Sequence, residues 1–337
     1  MIETDNILDA KLLSVLLKDQ SVSFHFKKEN NIFWATSDYE AMGEGYGYLD
    51  QITIEKITGE HSNVIIPRAK KSHEVQRQRV QEKAEVFSPT WVCNAMNNHL
   101  DEARFGRKGV FNTEFVENRK HWWAPTEEKI QFPDAEGKSW QDYVRSCRME
   151  ITCGEAPFIT SRYDVTQFEE VIPVKSRIGF LDRKLRVVGE NTSSPEEWIE
   201  WGKIALKATF GYDWQGDNLL LAREAVLFTF IEHYEEQFHE IPDRKTIEEA
   251  AYIISWNLWQ MDGQKGVVPL SCEWAAPNEI GNLFGGAAEK MQCPTCQKDS
   301  FKISVKQMFS GHIGIQCLLK DWFVDGEPII KFSSLLK

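Results

Sequence analysis

The chain has 337 residues, 42% hydrophobic and 27% charged, with a formal net charge of −12. That length and balance suit a globular protein of one large domain and one or two smaller pieces, and exclude a disordered or fibrous chain. No run approaches the roughly 18–20 continuous apolar residues of a membrane span, the acidic start Met1-Ile2-Glu3-Thr4-Asp5-Asn6 is no secretory signal, and the acidic excess argues against a surface that wraps nucleic acid as a whole. A cytoplasmic protein with no membrane partner is expected.

Residues 1–84 read as a small N-terminal unit and a basic linker. Ala10 to Leu17 carries Leu12, Leu13, Val15, Leu16 and Leu17 at helical spacing, while Val22-Ser23-Phe24-His25-Phe26 and Ile32-Phe33-Trp34 read as strands. The glycine-rich stretch from Met42 to Tyr48 has no strand leading into it and reads as a turn, not a phosphate loop. Between Arg68 and Lys83, six basic residues stand against two acidic ones. Such a run is either a solvated helix face or a local track for a phosphate backbone.

Residues 85–270 read as an α/β domain. Ser88 or Thr90 is placed to cap a helix beginning at Trp91, with Pro89 near its first turn. The loop-rich stretch 105–141 holds Trp122, Trp123 and Trp140, expected as packing anchors. A strand ends at Glu150, a small-residue turn follows, and Phe158 to Tyr163 is expected to open a helix before an insertion over about 164–194. Ser194-Pro195-Glu196-Glu197 is a strong helix start, with a hydroxyl cap, an early proline and acids in the first turn. Thr209 to Trp214 is a strand with Asp213 at its end, and Asp217 to Tyr234 is the clearest helix. A further helix over 244–253 leads into a strand over Ile253–Trp259 and a turn at Gln260-Met261-Asp262-Gly263. Strands and helices alternating in this way predict a doubly wound sheet.

Residues 271–337 hold four of the seven cysteines if Cys272 is counted. Cys293-Pro-Thr-Cys296, His312 and Cys317 spell C-x2-C-x15-H-x4-C, with expected short strands at Phe301–Val305 and His312–Leu319. Thiolate and imidazole ligands at that spacing suit a tetrahedral, structural zinc ion in a zinc-ribbon-like segment, and Cys272 competes with His312 for the fourth place. Reduced thiols without metal are the alternative. Cys93, Cys147 and Cys153 read as free thiols rather than parts of a disulfide framework.

Three segments stand in a fixed order: Phe87-Ser88-Pro89-Thr90-Trp91-Val92, then Glu150-Ile151-Thr152-Cys153-Gly154-Glu155, then Gly211-Tyr212-Asp213 followed by Asn218 to Arg223. Over residues 85–265 this order resembles the S-adenosylmethionine-dependent DNA adenine methyltransferases, notably the modification subunits of restriction systems. The resemblance implies a Rossmann-like class I methyltransferase sheet. It implies that Phe87, Ser88 and Pro89 flank the methionine end of the cofactor, that Glu150, Gly154 and Glu155 form its loop, that Asp213 holds the ribose, and that Asp262 lies near the adenine. Ala156 stands where the family has a second loop glycine, and no [NDS]-P-P-[YFW] tetrapeptide, the family's catalytic loop, occurs. With few residues left after Asp262, either the tail supplies abbreviated strands, such as Phe301–Val305 and His312–Leu319, or a partner chain completes the sheet. The expected function is therefore a DNA N6-adenine modification-type subunit that acts with a partner. The alternative is an inactive descendant that binds DNA or protein in phage defence or counter-defence.

Overall fold

The structure, a computed structural model, describes residues 7–71, 88–164, 171–272, 293–297, 309 and 311–335. In chain order the helices are α1 (Ala10–Leu17), α2 (Gln20–Phe26), α3 (Ile54–Ile57), α4 (Thr90–Phe105), α5 (Trp140–Arg145), α6 (Phe180–Asn191), α7 (Pro195–Lys207), α8 (Gly216–Phe238) and α9 (Arg244–Asn257). The strands are β1 (Asn112–Glu117), β2 (Lys120–Pro125), β3 (Arg148–Glu150), β4 (Thr209–Asp213), β5 (Leu258–Gln260), β6 (Leu318–Lys320) and β7 (Ile329–Lys331). The architecture is mixed α/β with small sheets, and no sheet among the described residues exceeds three strands. Phe87 and the expected strand Phe301–Val305 lie outside the described residues, as does most of the basic run that ends at Lys83.

Two compact units share the chain. One comprises Met1–Ile65, Gly211–Arg223 and Ser255–Lys337; the other comprises Ile66–Phe210 and Glu224–Ile254. β4, α8 and α9 each run across a boundary, so both units are discontinuous in sequence.

In the first unit, α1 forms as expected. Asp9 accepts the Leu12 N–H, and Leu12, Leu13, Leu16 and Leu17 are buried. The segment expected as a strand from Val22 to Phe26 is instead α2. Asp19 caps it by accepting the Val22 N–H at 2.9 Å, and Lys27 ends it in the left-handed conformation. A five-residue alternation fits a strand or a short helix equally, and the cap decides between them. The fully buried Arg223 donates to the carbonyls of Leu16, Lys18, Ser255 and Leu258, so its guanidinium serves carbonyls at the C-terminal end of α1 that the helix leaves unpaired. β4 and β5 pair in parallel, Gly211 opposite Leu258 and Asp213 opposite Gln260. The buried Gln260 amide accepts from Phe33 N–H and donates to the carbonyls of Phe33 and Trp214, tying the N-terminal segment to β5. A Cβ at Gly216 would collide with the Phe33 carbonyl, so this approach needs glycine. β6 and β7 form an antiparallel pair.

Asp19 is 3% exposed, and its Oδ2 has no hydrogen-bond partner among the described residues. Burial raises its pKa to about 6, against the lowering effects of the Val22 N–H and Arg223. The folded state therefore holds this proton more tightly than the unfolded chain does. The associated stability is full below pH ~4 and is lost as pH rises toward 6. Asp19→Asn keeps the cap acceptor and removes the buried charge. It should be more stable than wild type at pH 7.5 by roughly 2–3 kcal/mol, at about 1.36 kcal/mol per pK unit, with the difference shrinking to nothing near pH 4. Paired denaturation curves across pH 4–8 check this, and an unchanged or less stable variant at pH 7.5 contradicts it.

In the second unit, β1 and β2 form a hairpin with Phe115 opposite Trp122 and Val116 opposite His121. Arg148 N–H, at the start of β3, donates to Ala208 O just before β4. No side chain from Ser88 or Thr90 caps α4; Pro89 holds the cap position. The Thr90 N–H instead takes Asp164 Oδ2 at 3.2 Å, so a distant carboxylate supplies what a local hydroxyl was expected to give. Phe158 to Tyr163 is not helical because Glu150 and Asp182 take its backbone amides: Glu150 accepts from Ile159 N–H, and Asp182 from Ser161 N–H. The expected insertion contains α6, whose inner face buries Phe180, Leu181, Leu185 and Val188. α7 starts as expected, with Ser194 accepting the Glu197 N–H and Pro195 in the first turn. α9 continues to Asn257 and takes up most of the expected strand, leaving β5 only three residues.

The interior of this unit holds a charged cluster. Asp101, 1% exposed, accepts from Arg148 and Arg183 at 2.7 Å each and from the Tyr143 hydroxyl at 3.1 Å. Arg183 also donates from Nη2 to Asn94 and Asn98 of α4, while its Nε has no hydrogen-bond partner among the described residues. Burial and the neighbouring Asp101 carboxylate push the Tyr143 hydroxyl pKa upward, so the phenol stays a donor.

Candidate metal centre

In the first unit, Cys272, Cys293, Cys296 and His312 bring one ligand atom each to within 4.8 Å of one another. His312 Nδ1 lies 3.6 Å from Cys293 Sγ and 3.4 Å from Cys296 Sγ. For a tetrahedral ion with Zn–S near 2.3 Å and Zn–N near 2.0–2.1 Å, that edge should be about 3.6 Å. The cluster can hold a metal ion, and three thiols with one imidazole fit zinc.

Local structure places each ligand. Asp262 Oδ1 accepts the N–H groups of Gln264 and Lys265 and its own N–H reaches Val267 O, which folds the chain after β5 into a tight turn. Val268 N–H then bonds to Ile315 O, and Ser271 Oγ accepts from Ile315 N–H, fixing Cys272 beside the segment that carries His312. A Cβ at Gly314 would sit 3.0 Å from Cys272 Sγ, so glycine lets that strand approach the ligand. Residues 294–297 form the turn between Cys293 and Cys296, and the Thr295 hydroxyl ties it to Gly311 O. Burial pushes the Cys293 thiol up, but the N–H groups of Ile313 and Cys296 and the His312 ring outweigh it and bring the pKa down to about 6. Burial and the neighbouring thiols push Cys272 the other way, up to about 12. Cys272 and Cys293 are thus pushed in opposite directions, and a bound cation would favour the thiolate of both.

Cys317 does not join them. It is fully buried, its thiol lies 3.5 Å from Gln260 O, and burial together with Asp19 and Asp262 pushes its pKa well up. The structure thus brings three of the four expected ligands together and supplies Cys272 as the fourth. The sequence signal for Cys272 was present, but its distance of 21 residues from Cys293 hid its place beside the compact C-x2-C and His-x4-Cys spacings.

The residues expected to bind a methyl-donor cofactor divide between the units: Ser88, Pro89, Glu150, Gly154 and Glu155 belong to one, Asp213 and Asp262 to the other. Glu150 is buried and accepts from the Phe158 and Ile159 N–H groups at 3.4 and 3.1 Å, closing its own loop. Glu155, also buried, accepts from Arg68 N–H and the Tyr163 hydroxyl. Thr152, Gly154 and Ala156 all have φ between 48° and 61°. Ala156 therefore adopts the left-handed conformation of a glycine, at a cost of about 1 kcal/mol. Asp213 accepts from Gln215 N–H at 3.3 Å, and Asp262 pairs with Lys265 at 3.2 Å. Beside the Glu150 loop, Met96, Asn97, Leu100, Met149, Ile151 and Phe158 line a cavity of about 470 Å³. That volume lies in the range of small-molecule sites.

Compared with protein-family models, with curated proteins and with solved structures, the chain matches none. Among the described residues no helix is long and apolar enough to cross a membrane.

Proposed function

We propose that this chain is a zinc protein whose ion is structural, held by Cys272, Cys293, Cys296 and His312. The observation that carries this reading is the convergence of three thiols and one imidazole within 4.8 Å, with two imidazole–thiol edges at 3.4 and 3.6 Å, close to the tetrahedral value. Four protein ligands leave no open position for substrate, and Cys272 and Cys293 are buried, which favours a stabilising over a catalytic ion. Metal analysis of freshly purified, reduced protein should find one zinc per chain. Metal-free protein that is nonetheless folded would overturn the reading.

A second reading concerns the rest of the chain: a DNA N6-adenine methyltransferase-like subunit that binds S-adenosylmethionine and needs a partner subunit for catalysis. Two observations favour it. Ala156 takes the left-handed backbone that the family's loop gives to glycine, and a cavity of suitable size adjoins the Glu150 loop. Asp213, which ends β4 shortly before α8, is the strand-end acid to which this reading assigns the ribose. The cofactor would supply an electrophilic methyl group, and the protein's part would be to position the amine. The absence of the prolyl catalytic tetrapeptide assigns that positioning to a partner, or leaves a binding protein without activity. Calorimetric titration with S-adenosylmethionine should show binding that Asp213→Ala weakens at least tenfold, followed by a test of methyl transfer to DNA. No binding by the wild type would sink this reading and leave the zinc centre untouched.

A further inference from the structure

The β1–β2 hairpin carries aromatic side chains that the fold does not bury. On one face Phe115 and Trp122 stack across the strands, centroids 4.1 Å apart and 15° from coplanar, with Trp122 49% exposed. Thr113, Glu117, Lys120 and Ala124 on the same face are exposed as well, so this face packs against nothing among the described residues. On the other face His121 stacks on Trp91 of α4 at 3.8 Å and 13°. Those two rings, with Arg119, Lys120, Trp123 and Thr90, line an open cavity of about 970 Å³ that also holds the Asp164 carboxylate, one oxygen of which accepts the Thr90 N–H.

The turn supplies an independent observation. Asn118 and Arg119 form the two-residue connection with φ of 49° and 64°. A two-residue turn with both residues left-handed favours Asn-Gly, because glycine alone takes φ > 0 without a steric cost. Here arginine occupies the glycine place at the tip, next to Lys120 and His121, at roughly 1 kcal/mol to the local backbone. Folding of the hairpin does not ask for arginine there, so the cation itself is what the position provides.

Flat exposed rings beside exposed cations suit unpaired bases on a phosphate backbone, with Lys120 set opposite Glu117 in the hairpin. Each base has a face to stack, and each phosphate an acceptor for guanidinium or ammonium. We propose that the β1–β2 hairpin and the adjoining Trp91–His121 cavity bind single-stranded nucleic acid. Bases stack on Phe115/Trp122 and at Trp91/His121, and phosphates pair with Arg119 and Lys120. A duplex hides its base faces, so the site prefers an unstacked strand. The inference does not rest on the zinc centre, and it shares only a partner class with the methyltransferase-like reading.

Fluorescence anisotropy with a labelled 12-nucleotide single strand and its duplex, at several salt concentrations, tests it on the full-length protein. The wild type should bind the single strand more tightly than the duplex and lose affinity as salt rises. Arg119→Gly installs the residue the turn prefers, so the variant should fold at least as well, yet bind about 3–10-fold more weakly with a shallower salt dependence. Trp122→Ala should weaken binding about 5–100-fold, in line with the loss of one stacked base. Absence of binding at low salt, equal affinity for duplex, or unchanged affinity in Arg119→Gly would each overturn the proposal. Binding of S-adenosylmethionine by protein that ignores the oligonucleotide would overturn it while leaving the methyltransferase-like reading standing.

Discussion

Replacing Cys272 by serine should abolish stoichiometric zinc, whereas replacing Cys317 by serine should leave the ion in place. The two cysteines are both buried, but only Cys272 offers its sulfur to the cluster; Cys317 spends its thiol on Gln260 O. Structural zinc contributes an apparent ~10–16 kcal/mol of binding free energy at neutral pH, and this is folding free energy wherever the metal-free site is not preformed. Loss of one ligand in four should therefore unfold the segment around the centre, read as protease sensitivity between β5 and β6 and as a low-denaturant transition that the wild type lacks. Chelator treatment of the wild type should reproduce both signs. Cys317→Ser exchanges a weak donor for a hydroxyl that can still reach Gln260 O, so its cost should stay near 1–2 kcal/mol. Zinc retained in Cys272→Ser and lost in Cys317→Ser would mean that the sequence spacing, and not the observed cluster, defines the site.

The second large effect is expected at Asp101. Truncation to alanine leaves Arg148 and Arg183 facing each other in the interior, with the shared carboxylate gone. Breaking a buried ion pair by removing one partner costs about 3–5 kcal/mol, because the remaining charge is buried without compensation. Two arginines depend on Asp101, which puts the expectation at the upper end. Chemical denaturation of Asp101→Ala against wild type measures it, and a loss below about 1 kcal/mol would show that water or side-chain relaxation replaces the carboxylate. Substituting apolar residues for Asp101 and Arg183 together should recover part of the loss, since no charge at position 183 is then stranded.

Local signals were legible in the sequence where one residue type decides one bond. Ser194-Pro195 announced α7, and the leucines after Asp9 announced α1, because a cap or an apolar stripe acts within a single turn. Length was the weak point. Val22 to Phe26 is too short for periodicity to separate strand from helix, and the hydrogen bond at Asp19 decides between them. The mostly apolar segment from Ile253 to Trp259 reads as a buried strand, yet helical bonding persists to Asn257, since a short apolar segment fits a buried helix as well. At the candidate site, Cys293, Cys296 and His312 were readable from spacing. Cys272 was less so, because its place depends on the Val267–Ile315 region folding back, which is a tertiary fact. The hairpin aromatics were read as packing anchors, and their residue types alone could not show that Trp122 stays in solvent.

The discontinuity of the first unit has a consequence for the order of events on the ribosome. Its bonds join Gln20 to Ser255, Phe33 to Gln260 and Ser21 to Leu318, separations of 235, 227 and 297 residues. The other unit closes once residue 254 has emerged. At about 5–20 residues per second, the N-terminal helices wait many seconds for β5 and β6 to appear. During that interval α1 and α2 have the segment around Ile32 and α3 as native partners but lack the contacts that β5 and β6 supply, which leaves apolar surface exposed to aggregation. The metal ligands arrive in the same late stretch, between residues 272 and 312. On the proposed zinc reading, metal uptake belongs to the closing step of folding, and metal supply would decide whether that step completes.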